Sequence, residues 1–166
     1  MARRALALLT FAALAASPAA RAGEALRNWF GDPFFRASAA LPHCPLPAGP
    51  FVDAAERRVQ SHRRAEKGTT CWLAKECDRP NAFAYDRDIA AAFVKGQRSA
   101  PGLFAHTSLW VTVQGRVVYI EGCVQQDAQA AAIEAFARGL PHVQQALAIV
   151  RTEGSASVPY RLRHGH

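Results

Sequence analysis

Residues 111–124 read VTVQGRVVYIEGCV. Leu109, Val111 and Val113 alternate with Trp110, Thr112 and Gln114, the period of a strand with one buried face. Gln114-Gly115-Arg116 carries a turn signal, and Val117 to Glu121 reads as the returning strand of a hairpin, ended by Gly122. Upstream, Phe83, Ile89, Ala90, Phe93 and Val94 recur at helical spacing, with Asp86 near the start and Gly96 past the end, which predicts an amphipathic helix over 86–95. Downstream, the Ala-rich segment 127–138 predicts a second helix, with Ile133 and Phe136 inward and Gly139 at its C-cap. Leu140 to Thr152 alternates Val143, Gln145, Leu147 and Ile149, a third strand. The order is helix, strand, strand, helix, strand.

The chain before this block is less regular. Residues 23–50 hold five prolines, each disfavouring helix in the residue before it, and read as loop with at most a short helix around 24–30. Trp29, Phe30, Phe34 and Phe35 are expected to fold back onto a core rather than meet a membrane. Asp53-Ala54-Ala55-Glu56 is a capping-box pattern, and the run it opens has no Gly or Pro before Gly68, so a helix is expected over about 54–67. It carries Arg57, Arg58, Arg63, Arg64 and Lys67 against Glu56 and Glu66, with few large apolar residues, and reads as a solvated, basic helix. GTTCWLAKECDRP, residues 68–80, is a short turn or helical piece in which Trp72 and Leu73 are expected to plug onto the core.

Residues 1–22 have the layout of a cleavable signal peptide: Arg3 and Arg4, an apolar run from Ala5 to Ala16, Pro18, and the small residues Ala20 and Ala22. The apolar run is too short to cross a bilayer, which needs about 20 residues. Cleavage after Ala22 takes Arg3, Arg4 and Arg21 from the 20 basic residues and nothing from the 13 acidic ones, so the formal charge falls from +7 to +4. A modest positive charge outside the cytoplasm points to anionic lipid or polyanionic glycans, and no nucleic-acid-binding signature accompanies it. An export signal makes the four cysteines candidates for two disulfides. Three pairings are possible; the short spacing favours Cys71 with Cys77, leaving Cys44 with Cys123. Neither zinc-ligand spacing nor a C-x-x-C redox motif is present, and no nucleophile-base motif involves His43, His62, His106 or His142. No catalytic residue, cofactor or metal is therefore expected, and His164 and His166 are read as part of a frayed tail.

VTVQGRVVYIEGCV, followed by an Ala-rich helix and GLPHVQQALAI, resembles the BON domain of bacterial osmotically inducible and nodulation proteins, over residues 83–153. The resemblance rests on Val111 and Val113, on Val118, Ile120, Gly122 and Val124, and on Gly139, Leu140, Val143, Leu147 and Ile149. Gln145 stands where the family has Asn, and Gly115 lies one residue farther from Gly122 than the family pattern has it, which implies a longer hairpin turn. The cysteine motifs and NAFAYDRDI look like a single-copy proteobacterial group of such proteins. The resemblance implies an α+β module, two helices on a three-stranded mixed sheet, without catalytic machinery. It would be preceded by the cysteine-bearing extension 23–82 and followed by a tail, 154–166.

The same resemblance implies an envelope protein that binds phospholipid or hydrophobic ligands, and with the positive charge the leading expectation is a periplasmic protein that binds anionic phospholipid and supports envelope integrity under osmotic or other stress. The family's lipid surface lies around the first helix, where Tyr85, Arg87 and Lys95 are the candidates here. Gly122 and Gly139 are framework glycines. The competing expectation is a disulfide-stapled module that joins a partner envelope protein through its sheet edge or hairpin.

Overall fold

A computed structural model describes residues 25–152 and 155–163. The proposed signal peptide, His164 and His166 lie outside the described residues. The protein is α+β and is built on one mixed sheet of four strands, β1 (Phe34–Ala39), β2 (Thr107–Gln114), β3 (Val117–Val124) and β4 (Gln145–Thr152), in that spatial order. β1–β2 and β2–β3 are antiparallel and β3–β4 is parallel. The helices are α1 (Ala54–Gly68), α2 (Thr70–Leu73), α3 (Asp86–Ser99) and α4 (Asp127–Arg138).

The three-stranded sheet expected from the sequence is corrected by β1, which comes from the segment read as loop. In FFRASA, Phe35 and Ala37 turn toward the core while Arg36 pairs opposite Trp110 on the other face. Its partner β2 lies some 70 residues later in the chain, and the register shifts between Arg36 and Ser38. Residues 25–30 form no helix; Arg27 instead makes an isolated antiparallel bridge with Val52.

α3 and α4 cover one face of the sheet. Against them lie Leu109, Val111, Val113, Val118, Ile120, Val124 and Ala146, with Ile89, Phe93, Ile133 and Ala137 from the helices. Phe93 is at the centre, edge-on to Phe35, Phe104 and Phe136 at 5.3–5.8 Å between ring centroids. α3 does not stop at Gly96 but runs to Ser99, passing beneath the Phe136 ring. β4 also differs from its reading. Its core-side residues are Ala146, Ala148 and Val150, in register with Val118, Ile120 and Gly122, so the bulkier Leu147 and Ile149 face away from the helices.

Two details of the hairpin depart from the expectations. The turn is not long: Gln114 pairs with Val117, leaving a two-residue turn in which Gly115 and Arg116 have φ of 61° and 68°, matching the twist of the strands. Gly122 does not end β3, which continues through it to Val124. With φ 143°, a Cβ at Gly122 would collide with the Ser108 carbonyl oxygen across the ladder, so glycine lets the two backbones approach there. Gly139 is the C-cap of α4 with φ −77°, right-handed rather than left-handed.

The opposite face is covered by irregular chain. Cys44 is bonded to Cys123 on β3, and residues 46–48 pair with 161–163: Ala48 N–H donates to Arg161 O (2.7 Å) and Arg163 N–H to Leu46 O (3.0 Å). The hydroxyl of buried Tyr160 donates to Pro45 O at 2.9 Å, and the Arg163 guanidinium lies 3.5 Å from the Phe51 ring centroid. The Cys44–Cys123 bond spans 79 positions. Closing so long a loop restricts the unfolded chain by about 4–5 kcal/mol.

Candidate functional site

α1 starts as its sequence predicts, with the Asp53 side chain accepting from Glu56 N–H at 2.8 Å. Only Gly68 of its residues is buried. Its inward stripe, Glu56, Gln60, Arg63, Arg64 and Lys67, follows the i, i+4, i+7, i+8, i+11 spacing of one helical face. That stripe forms one wall of a groove of about 660 Å³. Val117 and Tyr119 of β3 and Gln144 and Gln145 at the start of β4 form the other wall, and Phe83 lines it near the hairpin turn. Burial pushes the Tyr119 hydroxyl above its ordinary pKa, so it stays protonated and able to donate.

One ionic knot holds the α1 wall in place. Arg64 donates to both Asp32 carboxylate oxygens, at 2.9 and 2.7 Å, and its guanidinium lies 4.2 Å from the Phe30 ring centroid and 3.8 Å from that of Phe83. Gln114 Nε2 donates to Asp32 Oδ2 at 2.7 Å, and Asn28 exchanges two hydrogen bonds with the Asp32 backbone. A planar guanidinium suits this position because it bonds in its plane and stacks on its faces. The C-terminal third of α1, the entry to β1 and the hairpin turn thereby share one fixed point.

Asp86 performs the matching task for the turn. Its carboxylate accepts from Gly115 N–H (2.7 Å) and Arg116 N–H (2.8 Å). Burial raises its pKa to about 6 despite these two bonds, and the nearby Asp32 carboxylate pushes the same way.

The sequence-derived lipid candidates are divided by the structure. Tyr85 is only 2% exposed; its hydroxyl accepts from Arg79 N–H at 2.7 Å and its ring stacks 5.0 Å from His142. It is a packed residue and presents no free surface. Arg87 and Lys95 are both exposed on α3. Both expected disulfides are formed, Cys44–Cys123 and Cys71–Cys77, and no cysteine is free. Trp29 and Phe35 do fold back, Trp29 donating from Nε1 to Val52 O at 2.8 Å.

The expectation for Trp72 and Leu73 is overturned, since both are exposed. The helical character of the segment could have signalled this. Cys71 is buried on α2, and each helical residue turns by about 100°, so the next two side chains are carried away from the protein. Among the described residues, no group of three or more His, Cys, Asp or Glu side chains could hold a metal ion, and no helix is long and apolar enough to cross a membrane. No protein-family model matches this chain, and neither a curated protein nor a solved structure matches it.

Proposed function

We propose that this is an exported, non-enzymatic protein of an oxidising envelope compartment that binds anionic phospholipid and supports envelope integrity under stress. The observation that carries the reading is α1. It is a fifteen-residue helix that buries only a glycine and leaves Arg57, Arg58, Arg63 and Lys67 exposed. A helix so placed spends its charge on solvent or on a polyanionic surface, and each cation near an anionic leaflet contributes about 1 kcal/mol at low ionic strength. Arg87 and Lys95 add to the positive surface from α3. Two disulfides fit an oxidising compartment.

A BON-like domain is part of this proposal. The α3-β2-β3-α4-β4 order, with its antiparallel hairpin and parallel return strand, supports it. β1 and the stapled α1–α2 segment would then be additions to that framework. The rival reading, a partner protein pairing with a sheet edge, is less favoured by the edges themselves. Glu134 accepts from Ala148 N–H on β4 at 3.1 Å, and Gln97 donates to the Ala37 carbonyl beside the register shift in β1. Edge groups already taken offer a poorer template for an added strand.

Flotation of the exported, oxidised protein with vesicles tests the reading. Recovery with phosphatidylglycerol and cardiolipin vesicles at low salt, falling with added salt and absent with phosphatidylcholine, is expected. Failure to float with the anionic vesicles overturns it.

A further inference from the structure

The large exposed hydrophobic side chains of the described residues are Leu46, Val59, Trp72 and Leu73. Three of the four belong to the α1–α2 segment. Trp72 is 46% exposed and Leu73 75%, side by side in sequence. α1 passes into α2 through Thr69 alone, which keeps right-handed backbone angles (φ −98°, ψ −8°), and Leu73 N–H bonds back to Thr69 O at 3.0 Å. The chain then closes on itself. Lys75 N–H donates to Trp72 O (3.0 Å), Glu76 N–H donates to Cys71 O (2.8 Å), and the Cys71–Cys77 bond shuts the loop. Cys71 is anchored inward, so the staple holds Trp72 and Leu73 outward and denies them the slack to fold back.

Trp72 and Leu73 together make a small contiguous apolar patch. The pair is too small for a stable protein interface, which needs about 800 Å² from each partner. It matches the interfacial layer of a bilayer better: an indole sits at headgroup depth, and a leucine can enter the acyl boundary. Exposed cations of the same segment complement an anionic surface: Arg58 on the side of α1 away from the groove and Lys75 in the loop, with Arg63 and Lys67 along the groove. Exposed Glu66, Glu76 and Asp78 temper that charge without cancelling it, as the exposed basic residues over 54–79 are five, Arg57, Arg58, Arg63, Lys67 and Lys75.

We infer that Trp72 and Leu73 form a wedge that inserts into an anionic phospholipid bilayer, with Arg58 and Lys75 held at the phosphate layer. This rests on the phospholipid reading above and assigns the part of the protein that enters the membrane. The wedge is rigid before contact, so insertion carries little ordering cost.

The tryptophans make the test selective. Trp110 is buried, and Trp29 is hydrogen-bonded and covered by the guanidiniums of Arg27 and Arg57, at 5.3 and 5.1 Å from its ring centroid, so Trp72 is the one facing solvent. The exported, oxidised protein is mixed with phosphatidylethanolamine–phosphatidylglycerol vesicles, with and without bromine on the acyl chains. The expected result is a blue-shifted emission quenched by the brominated chains, with both changes lost in Trp72→Phe although that variant still floats. Trp72→Ala with Leu73→Ala should weaken flotation about tenfold or more. If the wild type floats but its emission neither shifts nor quenches, or if the double variant floats as well as the wild type, insertion is overturned and the phospholipid reading stands. If the wild type does not float, both are overturned.

Discussion

α1 and α3 are nearly equal in length, 15 and 14 residues, and are held by different forces. α3 puts Ile89 and Phe93 into the core beside the sheet and stays by burial. α1 buries only Gly68, and its attachments are one ion pair stacked between rings, the Arg57 guanidinium on the Trp29 ring and a cross-linked turn just beyond its end. The contrast teaches that an amphipathic pattern is not required for a helix to have a definite place. A few specific contacts can hold it, and its remaining surface is then available for charge.

If that division of labour is right, the two helices should fail differently. Phe93→Ala should be the most damaging change, about 3–5 kcal/mol by chemical denaturation, because it empties the site where Phe35, Phe104 and Phe136 meet. A loss under 1 kcal/mol would mean that α3 is not held by burial. Arg64→Met should cost about 3 kcal/mol by leaving the Asp32 carboxylate buried without its cation. Adding Asp32→Leu should recover much of that loss, and amide exchange in α1 should speed up in Arg64→Met while exchange in α3 changes little. Equal acceleration in both helices would erase the contrast.

Replacing Cys71 and Cys77 by Ser should cost less, about 2 kcal/mol, since the bond spans only six positions. It should loosen the end of α1 and lower the protection of α2 without disturbing the sheet. A separate effect, read from pH rather than from a lost contact, concerns Asp86, which ties the start of α3 to the hairpin turn. Its carboxyl titrates at about 6 in the folded protein against an ordinary 3.8, so between those values the folded state holds a proton that the unfolded chain has released. Its contribution to stability therefore falls as pH rises from about 4 to 6 and is level above that. The stability of wild type minus that of Asp86→Asn should show this slope, measured by denaturant titration across pH 4–7. A difference that rises with pH would mean that the two backbone N–H bonds outweigh burial.

Much of the candidate site was legible one piece at a time. Asp53 and Glu56 announced the start of α1, the spacing of the cysteines pointed to both disulfides, and the charge of α1 was visible in its arginines. The groove was not legible, because its walls come from α1, β3 and the entry to β4, which the sequence separates by dozens of residues. Tyr85 was misread for a related reason. An aromatic hydroxyl at the edge of a helix suits an interface equally well as a packed contact, and the choice was made by Arg79 and His142.

The sequence by itself determined the elements whose signals are local: the limits of α4, the capped start of α1, the β2–β3 hairpin and the helix-strand-strand-helix-strand order. Each follows from a cap, a turn dipeptide or a repeat of apolar positions within a few residues. The tertiary structure decided which of two plausible faces is covered. It enlisted β1 from a proline-flanked stretch too short to announce itself, turned Ala146 and Val150 inward instead of Leu147 and Ile149, and carried β3 through Gly122 because the Ser108 carbonyl needed the space. It also left Trp72 and Leu73 in solvent. Burial depends on what the rest of the chain brings alongside, and an amino-acid pattern reports only the side chains that are available to be buried.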